Sequence, residues 1–263
     1  MLNDLIFVVT GGGNGIGREV VLQLLEAGAK VAALDISEAA LAETAKLANK
    51  GDALKTYVCD ISNQGQVNEV RDAVLADFNH VDGLVNVAGI IQPFIKVIDL
   101  DLPTIERVMN VNFYGTIYLN QAFLPTLLTR EKAYLVNVSS MGGFIPVPGQ
   151  AVYGASKAAV KLLTEALYTE LRGTNIQVKL VFPGAINTNI TKNSNVDLEM
   201  DASSSKHKMT SAPDAAKMII KGMQKKKLHI YVGKDAKLLS KLNRLMPQKS
   251  TDLIAKKMAD LVE

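Results

Sequence analysis

Residues 5–35 read LIFVVTGGGNGIGREVVLQLLEAGAKVAALD. The order of patterns in this stretch decides the fold. Leu5 to Thr10 is a short, apolar, β-branched run, which is how a buried strand reads. A turn of seven residues follows, Gly11-Gly12-Gly13-Asn14-Gly15-Ile16-Gly17. Then REVVLQLLEAGA carries helical periodicity and stops at Gly28. Lys30 to Asp35 is a second strand. A glycine-rich turn between a strand and a helix lets the backbone approach a phosphate closely. The helix start adds free N–H groups and a positive dipole end. Glycine serves tight turns of every kind, however. The spacing T-G-x-x-x-G-x-G over Thr10, Gly11, Gly15 and Gly17 also departs from the common dinucleotide pattern G-x-G-x-x-G.

Context gives the turn its meaning. Asp35 ends the second strand, where an acidic residue meets an adenosine ribose diol and repels a 2′-phosphate. No Arg or Lys flanks it, and Asn14 stands where a basic residue would have met that phosphate. The pattern favours NAD, with NADP less suited. On the residues alone, Asp35 serves equally as a helix cap. The alternation then continues with a helix over 38–49, a strand over 53–58, a helix over 63–79 and a strand over 82–87. A long helix spans 104–129. Strands follow at 133–139, 176–182 and 228–232, with helices after Tyr153 and from Pro213 to Met223. Strands alternating with helices pair in parallel through right-handed crossovers. The expectation is an α/β fold: one doubly wound Rossmann-type domain over 1–263, its mostly parallel seven-stranded sheet carrying helices on both faces. Asp60-Ile61 and Asn86-Val87-Ala88-Gly89 fall at the carboxyl ends of strands, where such sheets place ligands.

A second constellation lies in SMGGFIPVPGQAVYGASK, residues 140–157. Tyr153 and Lys157 are four apart on a helix and share a face. A phenol has a pKa of about 10 when free, and a neighbouring ammonium favours the phenolate. Ser140, on the loop after the apolar strand, can donate a hydrogen bond to an oxygen that gains negative charge. A Tyr and a Lys at this spacing also arise by chance, so the pair depends on the rest of the chain.

Taken together, TGGGNGIG at 10–17, Asp35, Asp60-Ile61, NVAG at 86–89, Asn112 in NVNFYG, VNVSS at 136–140, Tyr153-Gly-Ala-Ser-Lys157 and PGAINT at 183–188 resemble the short-chain dehydrogenase/reductase family. The likeness covers roughly 5–188 and loosens toward 233. NVAG stands for the commoner NNAG. The resemblance implies a pyridine-dinucleotide oxidoreductase acting on a secondary alcohol or ketone. It makes Tyr153 the general acid or base. Lys157 lowers the phenol's pKa and holds the nicotinamide ribose, Ser140 polarises the substrate oxygen, and Asn112 holds a water. It further implies cofactor contacts at Gly11, Asn14, Gly15, Ile16, Gly17, Asp35, Asp60, Ile61, Asn86, Ala88, Gly89, Pro183, Gly184, Ile186 and Thr188, besides Tyr153 and Lys157. It also implies a homotetramer or homodimer built on the helices near 104–129 and 153–172. Two other readings stay open: a 3-oxoacyl thioester reductase, and a non-catalytic NAD-binding redox sensor. A pure binder has no need of Ser140, which argues against the sensor.

Composition narrows the remainder. The chain has 263 residues, 48% of them hydrophobic, enough to bury a sizeable core. A single cysteine, Cys59, allows no internal disulfide and suits a reducing, cytoplasmic setting. The histidines His80, His207 and His229 have no metal-ligand spacing, so no metal is expected. No signal peptide is visible. Val108 to Thr129 carries no charge, but it holds Asn110, Asn112, Asn120, Gln121 and Pro125, which fits a buried helix better than a membrane span. The net charge of +3 divides into +9 over 203–263 and −6 over the rest. We read the basic part as a solvated lysine face, with no nucleic-acid partner and a membrane-surface contact not favoured. The polar stretch 189–211 suits a substrate lid. The tail 234–263 suits two basic amphipathic helices broken at Pro247. Ile90, Ile91, Phe94, Met141, Phe144, Ile145 and Val147 suggest an apolar substrate, or serve as core.

Overall fold

The computed structural model describes residues 2–187, 190, 194 and 209–258. Thr188 and most of the expected lid, 189–211, lie outside the described residues, as does the end of the tail. Seven strands form one sheet: β1 (Ile6–Thr10), β2 (Lys30–Asp35), β3 (Leu54–Val58), β4 (Gly83–Asn86), β5 (Ala133–Val138), β6 (Ile176–Pro183) and β7 (His229–Val232). Their order is β3-β2-β1-β4-β5-β6-β7, and every pairing is parallel. Nine helices are described: α1 (Gly15–Glu26), α2 (Glu38–Ala48), α3 (Gln64–Phe78), α4 (Leu102–Met109), α5 (Gly115–Leu128), α6 (Ala151–Glu170), α7 (Ala212–Met223), α8 (Lys234–Leu245) and α9 (Pro247–Lys257).

Side chains alternate across a strand, so each strand feeds two cores. Phe7, Val9, Val31 and Ala33 face Val20, Val21 and Leu24 of α1 and Ile219 and Met223 of α7. Ile6, Val8, Ala32 and Leu34 face the other way, onto Val70 and Val74 of α3, Leu119 and Phe123 of α5, and Leu167 of α6. Burial on both faces explains why the central strands read as unbroken apolar runs. It also accounts for the uncharged stretch 108–129, whose Leu119, Phe123 and Leu127 are fully buried. No helix among the described residues is long and apolar enough to cross a membrane.

The single helix expected over 104–129 is interrupted. Between α4 and α5, Asn110–Tyr114 form one π-helical turn. Gly115 follows, backed against Ile61 so closely that a Cβ would stand 3.0 Å from it. The Thr116 hydroxyl donates to the Asn112 carbonyl at 2.8 Å. The extra residue of the π turn re-aims Asn112 toward the carboxyl ends of the strands.

Candidate active site

The strand order reverses between β1 and β4. At such a point the two crossovers leave on opposite sides of the sheet and open a crevice at the carboxyl ends of the strands. A cleft of about 460 Å³ lies there. It brings together Gly11, Asn14, Gly15, Ile16, Gly17, Asp35, Asp60, Ile61, Ala88 and Gly89, all expected from the sequence. Val87, Ile90, Cys59 and Ile190 also line it, and the sequence reading did not single these out as cofactor contacts. Val87 and Ile90 flank expected residues, a signal that was available. Ile190 offered none.

The floor of the cleft is the glycine turn. Gly11 and Gly15 adopt φ of +69° and +52°, where a side chain would be strained. A Cβ on Gly17 would collide with the Gly11 carbonyl oxygen. The turn is braced from behind by Thr44 and Arg18, neither of which the sequence marks. The Thr44 hydroxyl donates to the Gly12 carbonyl at 2.9 Å. Arg18 Nε donates to the Gly13 carbonyl at 2.8 Å, and its guanidinium pairs with Glu43. The Thr10 hydroxyl oxygen accepts the N–H groups of Val87 and Ala88 at 3.0 and 3.1 Å, tying the ends of β1 and β4. Asp35 accepts the N–H of Gly13 at 2.9 Å and that of Ser37 at 3.0 Å. The first turn of α1 starts at Gly15, so its free N–H groups and positive dipole end face the cleft. A shape only glycine fills, backbone donors for a pyrophosphate and a carboxylate for a ribose diol are what a nicotinamide dinucleotide requires.

Ser140, Tyr153 and Lys157 stand beyond this cleft, at the ends of β5 and α6. Lys157 is buried, and its Nζ donates to the Val138 carbonyl at 3.1 Å. A Cβ on Gly89 would lie 3.0 Å from that Nζ and 3.1 Å from Asn112 Oδ1, so the lysine borders the cleft at Gly89. Gly142 packs beside the other two groups: a Cβ there would stand 3.4 Å from the Tyr153 ring and 3.5 Å from Ser140 Oγ. The Gly142 N–H donates to Ser140 Oγ at 3.0 Å. This occupies a lone pair on Ser140 and leaves its hydroxyl proton to donate, here toward the Tyr153 phenol.

Burial leads the electrostatics of both groups. Burial pushes Tyr153 upward, and a hydrogen bond with Ser140 pulls it partly back. Burial also pulls the Lys157 ammonium down to about 8. Desolvation, which disfavours whichever form is charged, is the leading cause in both groups.

Several expected residues take other positions. Asn86 is buried and does not reach the cleft. Its amide donates to Asn120 Oδ1 at 2.9 Å and Asn137 Oδ1 at 2.8 Å, inside the layer between the sheet and α5. The side chain of Asn112 is committed to protein: it accepts from Ile90 N–H and donates to the Ile90 carbonyl, each at 2.9 Å, and donates to Ser156 Oγ at 3.0 Å. Gly184 faces Asp235, whose carboxylate accepts the Ala185 N–H at 2.8 Å. Pro183 closes β6, and Ile186 pairs with Thr210 in a short parallel bridge. These last three lie outside the 460 Å³ cleft. Of the apolar residues expected in the substrate wall, Ile91 and Ile145 are buried and belong to the packing. Phe144 stacks edge-on against Phe182 at 5.3 Å. Among the described residues no cluster of His, Cys, Asp or Glu is placed to hold a metal ion. His80 lies by Asp82 and His229 by Glu165.

A family profile described as short chain dehydrogenase matches residues 5–199. The chain is a short-chain dehydrogenase. A Mycobacterium tuberculosis protein, named provisionally as the oxidoreductase SadH, is 36% identical over 259 residues, covering 95% of this chain and 94% of that protein. A short-chain dehydrogenase/reductase from Burkholderia phymatum, solved with NAD, superposes with a TM-score of 0.82 at 26% identity over 93% of this chain and 95% of the other. A short-chain dehydrogenase from Burkholderia cenocepacia, solved with NADP, reaches the same TM-score at 24% identity over 97% and 98%. This short-chain dehydrogenase is therefore an oxidoreductase with a nicotinamide-dinucleotide fold that acts on small molecules.

Proposed function

We propose that this short-chain dehydrogenase interconverts a secondary alcohol and a ketone with NAD(H), and that Tyr153 is its general acid and base. One observation carries the reading. Tyr153 and Lys157 stand on consecutive turns of α6, with Ser140 and Gly142 beside the phenol, at the border of a glycine cradle. The bound cofactor supplies or accepts the hydride. The chain must then hold the carbonyl and manage one proton.

Ser140 donates a hydrogen bond from its hydroxyl to the carbonyl oxygen as charge builds there. Tyr153 delivers its proton to the same oxygen, and it takes the proton back in the oxidative direction. Burial keeps the phenol protonated, which suits it to the acid role. Once the proton has left, the Lys157 ammonium favours the phenolate. Asn112 grips Ile90, which holds the loop that lines the cleft beside Gly89.

Asp35 at the end of β2 supports NAD over NADP. The half-buried Phe94, Met141 and Val147 support a substrate with an apolar body. Tyr114, Leu128, Leu162 and Tyr168 leave apolar surface on α5, α6 and the π turn, which supports a homodimer or homotetramer. Light scattering that returns a monomer would end that part of the reading. The test of the whole is NADH consumption with ketones of graded size, including a 3-oxoacyl thioester, in wild type beside Tyr153→Phe.

A further inference from the structure

Helix α6, which carries Tyr153 and Lys157, starts without a local cap. Pro148-Gly149-Gln150 precede it, with no Ser, Thr, Asp or Asn among them. The side chain of Gln150 makes no capping bond to the first turn. The first N–H groups of a helix have no partner within it and must find one elsewhere. Val152 and Tyr153 find theirs on Gln92, far upstream in the chain. The side-chain carbonyl of Gln92 accepts both N–H groups, at 2.9 Å from Val152 and 3.0 Å from Tyr153. The amide of the same side chain donates to the Gly149 carbonyl at 2.9 Å. Gln150 returns the grip, its Nε2 donating to the Gln92 backbone carbonyl at 2.7 Å. Gln92 is 0% and Gln150 4% exposed.

Both ends of this clasp belong to the site. Gln92 follows Gly89 and Ile90, which line the dinucleotide cleft. The other end is the turn that bears Tyr153, whose own N–H is one of the groups held. We propose that Gln92, locked by Gln150, is a positioning residue that sets the first turn of α6 and so places the Tyr153 phenol against Ser140. The proposal rests on the reading of Tyr153 as the acid and base. Without the Gln92 acceptor two part-buried N–H groups lose their partner, the first turn frays, and the phenol moves with it.

The test places a single fluorine on the Tyr153 ring by site-specific incorporation of 3-fluorotyrosine and follows the fluorine resonance with pH. No substrate is needed. Gln92→Leu is expected to broaden or split the line and move its titration midpoint. On a ketone that wild type reduces, Gln92→Leu lowers kcat roughly ten- to hundredfold, as misplacement by about 1 Å does, with KM little changed. A folded Gln92→Leu protein with the wild-type line and midpoint would overturn the proposal. If Gln92→Leu does not fold, Gln150→Ala decides by the same line: broadening or a shift supports the clasp, and an unchanged line overturns it. Failure of the Tyr153 reading is seen separately, as turnover that survives Tyr153→Phe.

Discussion

The carboxylate of Asp35 accepts the backbone N–H of Gly13 at 2.9 Å. The residue suited to a ribose diol is therefore also a strut of the phosphate turn. Its second oxygen accepts the Ser37 N–H at 3.0 Å, at the start of α2. A carboxylate has about four acceptor sites, so two backbone bonds leave room for a diol. Asp35→Asn keeps one acceptor oxygen and loses the charge that repels a 2′-phosphate. Fluorescence titration should show wild type preferring NADH to NADPH, and Asp35→Asn narrowing that preference about tenfold or more, the effect of one hydrogen bond to a charged group. Asp35→Ala removes both struts and should weaken binding of both cofactors.

Gly17 faces the carbonyl oxygen of Gly11, with no space for a side chain. Alanine there must push the start of α1 away from the turn. Overpacking of this kind costs about 1–3 kcal/mol. Gly17→Ala should lower the melting temperature and weaken NADH binding at least tenfold by the same titration. Wild-type affinity in that variant would show that the pyrophosphate does not sit on this turn.

Lys157 gives a signed pH effect. Burial lowers its folded pKa from 10.5 to about 8. Between pH 8 and 10.5 the unfolded chain holds a proton that the folded chain has released, so stability rises with pH across that window. The shift corresponds to about 3 kcal/mol at 1.36 kcal/mol per unit. Below pH 8 both states are protonated, and the full cost of burying the charge remains. Lys157→Met should therefore be more stable than wild type at pH 7, with the gap closing as pH rises through 8 to 10. Urea melts of both proteins at several pH values measure this, and a constant gap would contradict it.

The seven strands and their parallel pairing were legible because buried strands and amphipathic helices have different periods. The glycine turn and Asp35 were legible because their spacing is local. Asn86 shows what a strand-end position alone does not tell. It alternates with Val85 and so shares a face with Leu84, which points into the layer under α5. Counting alternate residues would have placed it there. The π turn at Asn110–Tyr114 was not legible, since it depends on Gly115 meeting Ile61 across the fold. Gln92 left no sequence signal either, because its partners at Val152 and Tyr153 come close only after folding. The apolar residues Ile91 and Ile145 read alike as wall or core, and only packing separated them.

The central claim is that Tyr153 moves the proton. The most direct measurement is the rate of NADH consumption by wild type and Tyr153→Phe with a ketone that wild type reduces, beside NADH binding to both. The phenylalanine variant keeps the ring and loses only the hydroxyl. Unchanged NADH binding and a kcat lower by about 10²–10⁴-fold, the usual worth of a positioned acid, are expected. Turnover by Tyr153→Phe at the wild-type rate would contradict it.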